Sequence, residues 1–203
     1  MPDDDTNHDR TSTEDDTVDD PWTVLESNTE YETGWYAGGY DLVEQPDGST
    51  MRYYWAELAP AVVVVAIDGD DLIFVEQYRP TVGSTQLELV AGIVDEHDGG
   101  PVDHVTEEAY ERAARRELRE ETGYRAASTT LLETFAVATG VLRHRRGIVV
   151  ATDLEAGAAD RDENEFLTVT RVPAAEALDR VRAPPTNDAS LEGILLAIED
   201  GYL

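Results

Sequence analysis

The chain has 203 residues, and 44 Asp and Glu against 15 basic residues leave a net charge of -29. With 41% hydrophobic residues, that length closes one ordinary core. The charge argues against nucleic acid or anionic membrane as a partner, since both need a positive footprint. The absence of cysteine excludes disulfides, thiolate metal sites and a Cys nucleophile. No apolar run reaches membrane-spanning length, and the first ten residues are acidic where a signal peptide is basic and then apolar, so a soluble, cytoplasmic protein is expected.

Residues 1–20 carry nine acids, one Arg and little that could offset ordering entropy, which predicts a disordered acidic tail. From 21 to 57, aromatic and β-branched residues alternate with polar ones around a Pro46-Asp47-Gly48 turn signal, predicting an antiparallel β unit. Residues 61–67 (AVVVVAI) and 72–78 (LIFVEQY) flank Asp68-Gly69-Asp70-Asp71 and read as a hairpin whose first strand is buried on both faces. A strand over 86–92 leads into a Gly/Asp-rich stretch. One strong helix follows, with Thr106 as N-cap, Glu107 and Glu108 on its positive end, and Gly123 to stop it after Thr122. Strands are expected at 129–138, 146–153 and 166–172. Pro173 opens a short helix to about Arg182, Pro184-Pro185 breaks the chain, and a last helix over 188–200 should turn Leu191, Ile194, Leu195 and Ile198 inward.

The strong helix carries Glu117, Glu120 and Glu121 at i, i+3 and i+4, three carboxylates on one face within a turn. Like charges so close repel unless a cation sits among them, and oxygen ligands at this density suit Mg²⁺ or Mn²⁺. A solvated acidic face is the plain alternative in so acidic a chain.

The run Arg116-Glu117-Leu118-Arg119-Glu120-Glu121-Thr122-Gly123 resembles the Nudix box, with Glu108 eight positions before Arg116 and Gly92 as the opening glycine. The family separates that glycine from its first glutamate by five residues; here residues 93–107 intervene, so about ten residues look inserted before the helix. Residues 22–57, Glu76-Gln77-Tyr78-Arg79-Pro80 and Glu88-Leu89-Val90-Ala91-Gly92 are similar to the ADP-ribose pyrophosphatase branch of the family. The resemblance implies an α/β (α+β) Nudix fold, a mixed β-sheet sandwiched between helices, over residues 58–203. It also implies that the N-terminal β subdomain, 21–57, helps to form a homodimer. Separately, arginine without a single lysine, in a chain about one-fifth acid, is similar in composition to proteins of archaea that keep molar salt in the cytoplasm.

Carried over residue by residue, the resemblance makes the Ala91 carbonyl and the Glu117, Glu120 and Glu121 carboxylates the metal ligands, with Arg116 orienting a box glutamate. Glu163 is the expected catalytic base and Glu165 the fallback. Arg79, Glu88 and the weaker Arg52 are candidate contacts to a small nucleotide substrate. Residues 138–146 depart from the branch: His144 stands where it has a glutamate, and Arg143, Arg145 and Arg146 form a basic cluster suited to phosphate. A structural ion-pair role serves that cluster equally well. The implied activity is metal-dependent cleavage of ADP-ribose to AMP and ribose 5-phosphate. Competing readings are another nucleoside-diphosphate sugar or dinucleotide as substrate, or a sensor that binds ADP-ribose without cleaving it.

Overall fold

The computed structural model describes residues 22–98, 105–160 and 166–203. Alternating aromatic and β-branched residues form three strands, β1 (Thr23–Glu32), β2 (Tyr36–Glu44) and β3 (Thr50–Leu58), joined antiparallel, with Gly48 at φ +81° in the β2–β3 turn. β1 is an edge strand exposed along almost its whole length.

Next come β4 (Ala61–Asp68), β5 (Asp71–Arg79) and β6 (Ser84–Ile93). Gly69, at φ +64°, allows the two-residue turn that pairs Asp68 with Asp71. Val62 to Ala66 are all buried, as a run of β-branched residues without polar alternation requires of a central strand.

A short 3-10 turn at Glu96–Asp98 precedes helix α1 (Glu107–Thr122). Thr106 caps α1 by accepting from the Ala109 N–H, and Gly123, at φ +83°, ends it with its N–H on the Arg119 carbonyl. Then follow β7 (Arg125–Ala136), β8 (Leu142–Arg143), β9 (Arg145–Glu155), β10 (Leu167–Pro173), α2 (Ala174–Arg182) and α3 (Asp188–Glu199). β7 starts four residues before its expected place, because its pairing with β9 continues through Arg125 and Glu155.

Six strands make a mixed sheet in the order β10-β5-β6-β4-β9-β7, while β8 joins the other three strands by pairing parallel to β3. One face of the six-stranded sheet packs on α1 through Tyr110, Ala113, Ala114 and Leu118; the other packs on α2 and α3 through Ala177, Val181, Ile194 and Ala197. These are two layers of helix around one sheet, matching the fold class expected from the resemblance.

The inner face of α3 differs from expectation. Ser190, Gly193, Ile194 and Ala197 are buried, whereas Leu195 and Ile198 are exposed. Small residues win these positions because α3 lies very close to the sheet: a Cβ on Gly193 would come within 2.7 Å of Leu89 Cδ1, and Ser190 Oγ accepts the Leu89 N–H at 3.0 Å. Among the described residues no helix is long and apolar enough to cross a membrane.

Candidate active site

Helix α1 presents its glutamates toward the end of β6. Glu117 and Glu121 are each only 8% exposed. Gly92 makes this packing possible: a Cβ there would lie 1.9 Å from Glu117 Cδ, so the carboxylate occupies the space that any other residue at position 92 would fill.

Arg116 organises the face. Its Nη1 donates to Glu117 Oε1 at 2.6 Å and to Glu120 Oε2 at 3.3 Å, and its Nη2 reaches the Ile93 carbonyl at 2.8 Å. The same guanidinium binds Asp98 with both arms, Nη2 to Oδ2 at 2.8 Å and Nε to Oδ1 at 3.3 Å, and these partners hold its pKa well above the usual arginine value. Asp98 is buried to 4% exposure, and Arg112 Nε donates to its carbonyl at 2.6 Å. Burial pushes the Asp95 carboxyl up, but N–H donors from His97 and Asp98 and the charge of Arg116 outweigh it and hold the group below the ordinary range.

Asp98 corrects the reading of the box. Counted from Gly92, five residues end at His97 and the next is Asp98, so the family's spacing is kept on that side and the added residues fall between Asp98 and α1. Glu108, eight residues before Arg116, is exposed in the first turn of α1, where backbone N–H and Thr106 donors lower its pKa. Beside Glu117 and Glu120, Arg116 is thus gripped by an aspartate, matched by counting forward from the glycine and missed by counting back from the arginine.

Beside this face lies a cleft of about 610 Å³ between the β5–β6 connection and the start of α3. Arg79, Glu88, Ala91 and His144 line it, together with Gln86, Arg146 and Asn187 to Ser190. Arg79 is paired to Glu88 Oε2 through Nε at 2.8 Å and Nη2 at 2.7 Å. Burial lowers the His144 pKa, with the charge of Arg146 acting the same way and the Ala59 and Leu58 carbonyls opposing. Arg146 is held by Asp188 at 3.2 Å and Glu192 at 3.0 Å. The box glutamates do not line this cleft; the two regions meet at consecutive residues of β6, Ala91 on the cleft wall and Gly92 beneath Glu117.

Two expected substrate contacts lie elsewhere. Arg52 covers the Tyr40 ring at 4.4 Å on the N-terminal sheet. Arg143 stacks on Trp55 at 4.1 Å and pairs with Asp41. β8 carries Arg143 into the N-terminal sheet while β9 carries Arg146 to the cleft, so a cluster contiguous in sequence is divided between two sheets. Glu163 and Glu165 fall outside the described residues. The chain just before them is tied to the box helix, with the Asp160 N–H on the Glu120 carbonyl at 3.0 Å.

The oxygen donors of Glu117, Glu120 and Glu121 suit a hard divalent cation, and the Gly92 cradle holds one of them against the strand that carries the Ala91 carbonyl. Among the described residues no three acidic or imidazole groups are gathered as a ready cage. The fit is therefore one of donor chemistry and placement.

The NUDIX domain family model matches residues 57–192, and the chain belongs to that family. It is a Nudix hydrolase. It is 32% identical over 140 residues to the ADP compounds hydrolase NudE of Escherichia coli (strain K12), covering 69% of this chain and 70% of that protein. It is 33% identical over 185 residues to the ADP-ribose pyrophosphatase of Mycobacterium tuberculosis (strain ATCC 25618 / H37Rv), covering 88% and 85%. A crystal structure of an ADP compounds hydrolase superposes with a TM-score of 0.76 at 26% identity, covering 90% of this chain and 97% of that one. Nudix hydrolases generally need divalent metal ions.

Proposed function

We propose that the chain cleaves the diphosphate of a nucleoside diphosphate joined to a second moiety, ADP-ribose first among them, yielding AMP and ribose 5-phosphate. The observation that carries this reading is the junction at Ala91 and Gly92, where a cleft of nucleotide size meets the glutamate face of α1. The likeness to an ADP-ribose pyrophosphatase over 88% of the chain supports the choice of substrate.

The Ala91 carbonyl with Glu117, Glu120 and Glu121 would hold Mg²⁺ or Mn²⁺, which when bound neutralises phosphoryl charge. Arg116, clamped by Asp98, keeps Glu117 and Glu120 in position. Arg79 orients the diphosphate from the cleft wall, itself held in direction by Glu88. Glu163 takes the proton of the attacking water, whose oxygen bonds to one phosphorus as the bridging oxygen departs with the other; the tie of Asp160 to Glu120 supports a base drawn from this part of the chain. The unit 21–57 mediates a homodimer, a role supported by exposed Val24, Leu25, Tyr31, Trp35, Met51 and Tyr54.

The test is hydrolysis of ADP-ribose, UDP-glucose, NADH and a diadenosine polyphosphate in 2–3 M KCl with Mg²⁺, for the wild type and Glu121→Gln. Turnover of ADP-ribose that the substitution lowers by about 10³-fold or more supports the reading, since loss of one such charge-stabilising group costs on that order. Binding of ADP-ribose with no turnover of any member by the wild type would replace it with a sensor.

A further inference from the structure

One buried polar atom of the cleft has no part in the roles assigned above. Gln86 in β6 is 6% exposed; its Nε2 donates to Ser84 Oγ at 2.7 Å, and its Oε1 has no hydrogen-bond partner. A buried amide oxygen left unpaired costs stability, whereas an apolar side chain fills such a position without penalty, as Leu89 does nearby. Gln86 stands on the cleft wall and also borders a smaller cavity of about 300 Å³, which runs toward Arg180 and Pro184-Pro185 at the end of α2. A second unpaired buried atom, His144 Nδ1, belongs to another residue of the same cleft wall. Both atoms belong to side chains of one wall, where a ligand can supply the partner that the protein does not.

The place along β6 narrows what that ligand group is. Gln86 lies five residues from Ala91, up to roughly 16 Å along an extended strand, so a diphosphate seated at Ala91 puts a nucleoside or sugar portion at Gln86. One of the two Nε2 hydrogens is used on Ser84 Oγ, and the amide oxygen, which can only accept, calls for a donor.

We propose that Gln86 is a specificity-determining residue of the cleft, its Oε1 accepting a hydrogen bond from a donor on the bound nucleotide, either an exocyclic amino group of the base or a ribose hydroxyl. This rests on the diphosphate-hydrolase reading. It adds that the enzyme discriminates against analogues lacking that donor, because binding them leaves the buried oxygen unpaired.

The experiment measures kcat and KM of the wild type, Gln86→Leu and Gln86→Met with ADP-ribose. Two analogues are run beside it, one with hypoxanthine in place of adenine and one lacking the 2′-hydroxyl of the adenosine ribose, and the free proteins are melted in parallel. Both variants should raise KM for ADP-ribose by about 3- to 10-fold, the worth of one such hydrogen bond, with kcat unchanged within experimental error. Their melting temperatures should equal or exceed that of the wild type, since the unpaired oxygen is gone. For one analogue, wild type and variants should share the same raised KM, which identifies the donor as base or sugar. An unchanged KM for ADP-ribose, or a raised KM with both variants melting lower, overturns the proposal. A rise for both analogues as large as for ADP-ribose overturns the assignment of the donor. Failure of the underlying reading shows separately, as no diphosphate hydrolysis by the wild type.

Discussion

At the scale of single residues, the site depends on small spaces and single charges. Glycine at 92 is required by the Glu117 carboxylate, which fills the volume of the absent side chain. Because that carboxylate is the far end of a flexible side chain, Gly92→Ala should displace it at little cost to the fold. The expected outcome is a melting temperature within a few degrees of wild type and a fall in kcat of about 10²-fold or more, the scale of an ångström-sized misplacement in an active site. Melting curves and steady-state kinetics on one preparation check it. His144 makes a prediction in pH. Its folded-state pKa is lowered, chiefly by burial, from the ordinary value of 6.5, so the folded protein binds fewer protons than the unfolded chain as pH falls through that value. Stability should then drop between pH 7.5 and 5.5 with a contribution from this residue, and His144→Gln should flatten the dependence relative to wild type. Urea unfolding at the two pH values measures the difference, and parallel slopes for the two proteins would count against it.

At the scale of elements, α3 shows how the cleft is anchored. Its N-terminal turn is capped by Asn187, whose Oδ1 accepts the Ser190 N–H at 2.8 Å, and Ser190 in turn accepts the buried Leu89 N–H. Ser190→Ala should leave that N–H without its partner and lower stability by about 1–3 kcal/mol, read from denaturant midpoints at constant slope. What could be read ahead of the structure follows the same division between local and distant causes. Helix α1 was legible because its cap, its stop and its carboxylate spacing lie within eighteen consecutive residues. The strand run 61–67 was legible because unbroken burial leaves an unbroken apolar signature. The inner face of α3 was not, since apolar periodicity favours Leu195 and Ile198 and only the tight approach to β6 selects serine, glycine and alanine. Asp98 was hidden for a related reason: two ways of counting the box disagree, and the contact with Arg116 that decides between them spans eighteen residues. Arg143 and Arg146 were indistinguishable until strand pairing sent them to different sheets. Gln86 offered no sequence signal at all, because a polar residue in a strand ordinarily faces water.

At the scale of the whole molecule, a net charge of -29 acts on both folding and association. Repulsion among the acids opposes the compact state, and the Debye length shrinks from about 10 Å at 0.1 M salt to about 3 Å at 1 M. Melting temperature should therefore climb steeply with KCl up to about 1 M and then level, whereas a general salting-out effect would keep rising in proportion to concentration. Association carries the same penalty, because two protomers of one sign must approach. What favours contact is β1: a ten-residue edge strand, exposed along almost its whole length, with Val24, Leu25 and Tyr31 on it and Trp35, at 84% exposure, beside it. An open strand edge and exposed apolar side chains are satisfied together by a second copy. The proposed homodimer should accordingly be salt-promoted. Sedimentation velocity should show mostly dimer in 2 M KCl and a shift toward monomer at 0.1 M. Leu25→Glu, which adds charge where apolar contact is needed, should move the midpoint to higher protein concentration while leaving the monomer's melting curve nearly unchanged. A monomer at every salt concentration, or a dimer indifferent to Leu25→Glu, would remove the N-terminal sheet as the interface.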